Sequence, residues 1–132
     1  MAVFKNRETM EMVYEEIWDQ LIRETDIGLR MKKAGINILF RFTDPDMVMY
    51  IDEKGALFGE TAEAQRPVIM ESLSGDTAHR FWLNKIDMTR ALASHQIKAK
   101  GSAVKMLQLL PLLKPVKDIY PVYCRKYNLP VD

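Results

Sequence analysis

The sequence predicts an α+β fold in which a five-stranded, mainly antiparallel sheet is covered by helices and preceded by an N-terminal helical hairpin. Three observations lead there. Apolar residues recur at three- and four-residue steps from Glu8 to Arg23, β-like alternation follows from Ile36 to Phe42, and from Val68 onward strand-like and helix-like segments take turns up to a last, strongly apolar helix.

In the first helix, Met10, Val13, Tyr14, Ile17, Trp18 and Leu21 share one face. Thr25 or Asp26 caps a second short helix through Ile27, Leu29, Arg30 and Met31, and Gly35 supplies a left-handed stop. Ile36, Ile38, Phe40 and Phe42 then alternate with Asn37, Leu39 and Arg41 until the turn residues Asp44, Pro45 and Asp46. Met47 to Asp52 is again β-like, and Glu53, Lys54 and Gly55 connect it to Ala56, Leu57 and Phe58. These three strands form an antiparallel meander.

A polar connection, Glu60 to Arg66, leads to a fourth strand over Val68 to Leu73. Ser74, Gly75 and Asp76 offer turn and cap chemistry for a helix that begins near Thr77 and carries Ala78, Phe81, Trp82 and Ile86. Asp87 caps a further short helix through Met88, Ala91 and Leu92. Gln96 to Lys100 reads as a short edge strand flanked by lysine and broken by Gly101. Ser102 caps the last helical region, in which Leu107, Leu110 and Leu113 turn to the core while Met106, Leu109 and Leu112 need other cover. Pro111 and Pro115 bend or stop it, which leaves Val116 to Tyr127 as a separate segment disturbed by Pro121.

At 132 residues the chain suits one domain spanning 1–132, with 48% apolar and 28% charged residues, and no apolar run long enough for a membrane span. The first residues are too short and too soon charged for a secretory signal, so a cytoplasmic location is expected. Nineteen basic residues against eighteen acidic ones leave a net charge of +1, which provides no field to hold nucleic acid. One cysteine, Cys124, forms no internal disulfide and reads as a small buried residue. Nine methionines suit either ordinary core filling or an adaptable binding surface.

Catalysis requires a nucleophile, base or metal in mutual reach, and the two histidines, His79 and His95, have no metal-ligand spacing. Both read as structural. Glu15, Glu16 and Asp19 read as a solvated helix face, and Lys98 and Lys100 as the solvent side of an edge strand, although the lysines could also hold an anionic head group. No glycine-rich phosphate loop or nucleophile elbow is present, so neither an enzyme nor a cofactor is indicated.

The order of strand, Ser74-Gly75-Asp76, helix, short helix, Gln96-Ile97-Lys98-Ala99-Lys100-Gly101 and apolar helix, over roughly Val68 to Leu113, resembles the sterol carrier protein type-two family. Ser102 stands where that family often has an acidic or amide residue, and two helices instead of one long one precede the first strand. The resemblance implies a sterol-carrier-like fold, an apolar cavity between sheet and helices, and non-catalytic binding or transfer of a ligand such as a fatty acid or sterol. The expected lining comprises Phe40, Phe42, Met47, Met49 and Met70 from strands, Phe81, Trp82, Met88 and Leu92 from the middle helices, and Met106, Leu109, Leu110 and Leu113 from the last apolar one. The segment from Pro111 to Tyr127 is a candidate gate. The alternative is an interaction module whose apolar surface makes a homodimer or docks an enzyme.

Overall fold

Asn6 opens the first helix, α1 (Arg7–Glu24), by accepting a 2.8 Å hydrogen bond from the Thr9 amide. The computed structural model describes residues 2–131. The six residues on the expected face of α1 are the six it buries. Thr25 turns the chain into α2 (Ile27–Ala34), and Gly35, at φ 64°, ends it in the left-handed region that glycine occupies freely. The helical hairpin is therefore present.

Strands β1 (Ile38–Thr43), β2 (Met47–Asp52) and β3 (Gly55–Phe58) form the expected meander. The stretch from Glu60 onward is not merely a polar connection: α3 (Gly59–Glu63) forms there. It buries only Ala62, so it has no apolar periodicity for a sequence reading to find. Strand β4 (Ile69–Ser74) then runs parallel beside β1, with Ile38 opposite Ile69, and β5 (Ile97–Gly101) pairs antiparallel with β4 at the sheet edge. The order is β3-β2-β1-β4-β5, a mixed sheet with a single parallel pairing.

Ser74 accepts from the Thr77 amide and starts α4 (Gly75–Trp82), a little before the expected position. That helix stops at Trp82, because Asn84 adopts a positive φ of 62°, and Ile86 lies outside it. Asp87 caps α5 (Met88–Ala93) as expected, accepting from the Arg90 amide. At the end of β5, Gly101 has a φ of 121°, and a Cβ there would stand 2.1 Å from the Val68 carbonyl oxygen. Only glycine fits that approach.

Ser102 caps α6 (Ala103–Leu112), and Pro111 lies within its last turn. Pro115 lies in the first turn of α7 (Lys114–Lys126), where its missing amide costs nothing. Pro121 does not divide α7, contrary to expectation. An interior proline costs about 3 kcal/mol, but α7 also buries Val116, Tyr120 and Cys124 completely, each such burial contributing about 1.5–3 kcal/mol for a large apolar side chain. Packing outweighs the interruption.

One face of the sheet, bearing Ile38, Phe40, Phe42, Met49, Ile51, Ile69 and Leu73, joins the core formed with α1, α2, α6 and α7. The other carries a small cluster of Leu39, Tyr50 and Ala62 beneath α3. Tyr123 donates to Gln20 Oε1 at 2.6 Å, and Lys126 meets Glu16 at 2.8 Å, so polar bonds flank the packing of α7 on α1. Glu15 and Asp19 are exposed, and Asp19 pairs with Arg23 at 3.0 Å, which gives these helix carboxylates a structural setting.

Candidate ligand-binding site

Helix α6 buries Leu109 and Leu112, where Leu107 and Leu110 were expected, and Leu113 at its C-cap is buried as expected. Leu109 is 2% exposed, whereas Leu107 is 71% and Leu110 41% exposed. Both stripes are apolar at helical spacing, so composition alone does not choose between them; packing against α2 and α7 does. The outer stripe becomes part of a pocket rim.

That pocket, of about 310 Å³, lies among β4, α5, β5 and α6. Met88 and Leu92 come from α5, Ala99 from β5, and Met106, Leu109 and Leu110 from α6. The polar side chains on its wall are Thr89 and Glu71. Two larger clefts, of about 810 and 690 Å³, have charged walls that include Lys85, Asp87, Arg90 and Lys117 in the first and Arg7, Glu8, Glu11 and Arg41 in the second. For an apolar ligand the smaller space is the better match, since its size reaches the lower end of the roughly 300–1,000 Å³ usual for ligand pockets and its wall is apolar.

Five of the thirteen residues expected to line a cavity meet there: Met88, Leu92, Met106, Leu109 and Leu110. Phe40, Phe42, Met47, Met49, Trp82 and Leu113 are instead core residues, packed with the buried faces of the helices. Phe81 is buried beside Trp82 and borders the larger polar cleft. Met70 lies on the opposite face of the sheet, with Leu39 and Tyr50, because strand alternation sends it away from Ile69 and Leu73. No residue of α7 lines the apolar pocket, so the proline-bounded segment is not at its mouth.

Glu71 is the residue that sequence reasoning missed. It is 6% exposed and stands on β4 with Phe40 of β1 and Ala99 of β5 opposite it. Burial pushes its carboxyl up to about 7. The signal was available: in Ile69-Met70-Glu71-Ser72-Leu73, alternation puts Glu71 on the same face as two core residues.

His79 and Cys124 have structural settings, and Lys98 and Lys100 lie away from the pocket. His79 is buried between Tyr120 and the Pro130 carbonyl. Cys124 is fully buried, and burial pushes its thiol up to about 11, away from reactivity. Lys98 and Lys100 are exposed opposite Ser72 and Met70, on the sheet face away from the pocket. Among the described residues there is no group of histidine, cysteine and carboxylate side chains able to hold a metal ion, and no helix is long and apolar enough to cross a membrane.

No family model matches the chain, and no curated protein matches it in sequence. Solved structures do match its fold. The apo form of sterol carrier protein 2 from Yarrowia lipolytica superposes with a TM-score of 0.64 at 19% identity, over 85% of this chain and 92% of that one. Sterol carrier protein domain 2 of Helicoverpa armigera gives 0.60 at 14% identity, covering 84% and 87%. Sterol carrier protein 2 from Aedes aegypti, solved in complex with the C16 fatty acid palmitate, gives 0.55 at 12% identity, covering 78% and 96%. The chain thus has the sterol carrier protein 2 fold, as the pattern from Val68 to Leu113 implied.

Proposed function

We propose that the protein is a cytoplasmic, non-catalytic carrier that holds an apolar lipid-like ligand, a fatty acyl chain, sterol or related molecule, between α5, α6 and the β4–β5 half of the sheet. The apolar pocket carries this reading: Met88 and Leu92 of α5 and Met106, Leu109 and Leu110 of α6 converge on a space of about 310 Å³, with Glu71 of β4 and Ala99 of β5 on its sheet side. The fold it shares with the palmitate-bound Aedes aegypti protein supports the same reading. Each methylene withdrawn from water contributes about 0.8 kcal/mol, so a long chain binds there without an elaborate polar site.

The mouth suits a ligand that arrives from a lipid surface. Leu107 on its rim is 71% exposed, and flexible Met88 and Met106 can reshape the wall around ligands of different outline. Native mass spectrometry of freshly purified protein, followed by organic extraction, tests this directly. A stoichiometric lipid, displaced by an uncharged fluorescent lipid probe and lost in Met106→Trp, is the expected result. An empty protein that ignores both acyl and sterol probes would overturn it.

The exposed outer stripe of α6 also favours a second reading, an interaction module in which this surface makes a homodimer or docks an enzyme. A concentration-dependent dimer abolished by Leu107→Asp, with no lipid recovered, would establish that alternative.

A further inference from the structure

We infer that Glu71 selects the head group of the ligand: the pocket takes an apolar molecule bearing an uncharged hydroxyl and turns away one bearing a carboxylate. This deepens the carrier reading and rests on it. Glu71 lies at the β4 wall of the apolar pocket, more than nine-tenths buried, and no cation or hydrogen-bond donor among the described residues acts on its carboxyl. A carboxyl set in an apolar wall without a protein partner is costly, and Glu71 lines the pocket where a ligand group can meet it. A ligand hydroxyl would remove that cost.

Every element around Glu71 keeps its charges elsewhere. On β5, Lys98 and Lys100 stand opposite Ser72 and Met70 and so project from the other face, while Ala99 is opposite Glu71. Arg41 of β1 is likewise opposite Ser72 and pairs with Glu63 of α3. Lys105 of α6 donates to the Ala34 carbonyl, and Arg90 of α5 borders the neighbouring polar cleft instead of this pocket. Thr89 adds a hydroxyl but no charge.

The chemistry of the two protonation states follows from that isolation. A neutral carboxyl donates one hydrogen bond and accepts another, which is the complement of an alcohol. Burial brings its protonation equilibrium near neutrality, so both forms are populated there. Ionised, it still accepts from a hydroxyl, but it repels a carboxylate with no cation present to offset the like charge. A fatty alcohol or sterol is accepted in either state, whereas a fatty acid needs a proton on one of the two carboxyls and is turned away once both are ionised.

The test uses probes of equal chain length, dodecanol, dodecanoate and dodecylamine, each displacing a neutral fluorescent dye from the full-length protein at about pH 8. Wild type is expected to bind dodecanol at least about tenfold more tightly than dodecanoate, the equivalent of about 1.4 kcal/mol. Glu71→Gln is expected to bring that ratio within about threefold by admitting dodecanoate, and Glu71→Leu to weaken dodecanol about three- to tenfold, the range of one ordinary hydrogen bond. A wild-type protein that binds dodecanoate as tightly as dodecanol, a ratio unmoved by Glu71→Gln in a variant with unchanged circular dichroism, or a preference for dodecylamine over dodecanol would each overturn the inference. If neither the dye nor any probe binds wild type, the carrier reading itself fails; if all bind with affinities indifferent to Glu71, only the selector role does.

Discussion

His79 and Tyr120 share a buried hydrogen bond of 2.7 Å that ties α4 to α7. The other ring nitrogen, Nε2, lies 2.8 Å from the Pro130 carbonyl oxygen. A carbonyl only accepts, so Nε2 carries the proton and Nδ1 accepts from the Tyr120 hydroxyl. Neutral imidazole satisfies both partners, and burial holds the His79 pKa below its ordinary value.

A histidine whose pKa is depressed on folding contributes stability above its unfolded value, about 6.5, that is lost as the pH falls through the lower folded value. Urea unfolding of wild type between about pH 7 and pH 5 should therefore show a loss from this residue that His79→Phe lacks. The variant should also be less stable at neutral pH by about 1–3 kcal/mol, because the Tyr120 hydroxyl and its surroundings lose a partner. Identical pH slopes in the two proteins would exclude the linkage.

Glu71 acts in the opposite sense. Its folded pKa is raised from 4.5 to about 7, so its favourable contribution is complete below the unfolded value and is lost as the pH rises through the folded one. At about 1.4 kcal/mol per pH unit, ionising it in place costs on the order of 3 kcal/mol. Glu71→Gln should flatten stability between about pH 4.5 and 7.5 and unfold at higher urea than wild type at the upper end. A variant no more stable than wild type there would show that the carboxyl is not held in an apolar setting.

Two leucines on adjacent faces of α6 should respond unequally. Leu109→Ala removes a buried side chain and is expected to cost about 2–5 kcal/mol, whereas Leu107→Ala, on the exposed stripe, should stay within about 0.5 kcal/mol. Chemical denaturation of both variants checks the orientation of the helix. Equal costs would mean that α6 is turned relative to the sheet or covered on its outer face.

The contrast between α1 and α6 explains how far the sequence carries. In α1, polar residues separate Met10, Val13, Tyr14, Ile17, Trp18 and Leu21 into one stripe, and the buried face follows from spacing. In α6, leucine occupies several faces, so only packing against α2 and α7 decides between Leu109 and Leu107. Met70 and Glu71 were legible from the alternation of β4, but the preference for methionine over a carboxylate as an apolar lining residue obscured it. The pocket itself required knowing that α5 and α6 meet over the β4–β5 edge, a tertiary relationship that no local pattern encodes.

The parallel seam between β1 and β4 has a consequence for how the chain reaches its native state. Ile38 and Ile69 meet only after the whole meander and α3 have been traversed, and the β1–β4 ladder sits in the middle of the sheet. Until it closes, one side has three strands without the core supplied by later helices, and the other has only β4 and β5, a two-stranded sheet that is marginal in water. Closure of a long loop must precede the contacts that compensate its entropy. The two halves therefore gain their stability together, and cooperative folding of the chain depends on a central ladder that neither half supplies alone.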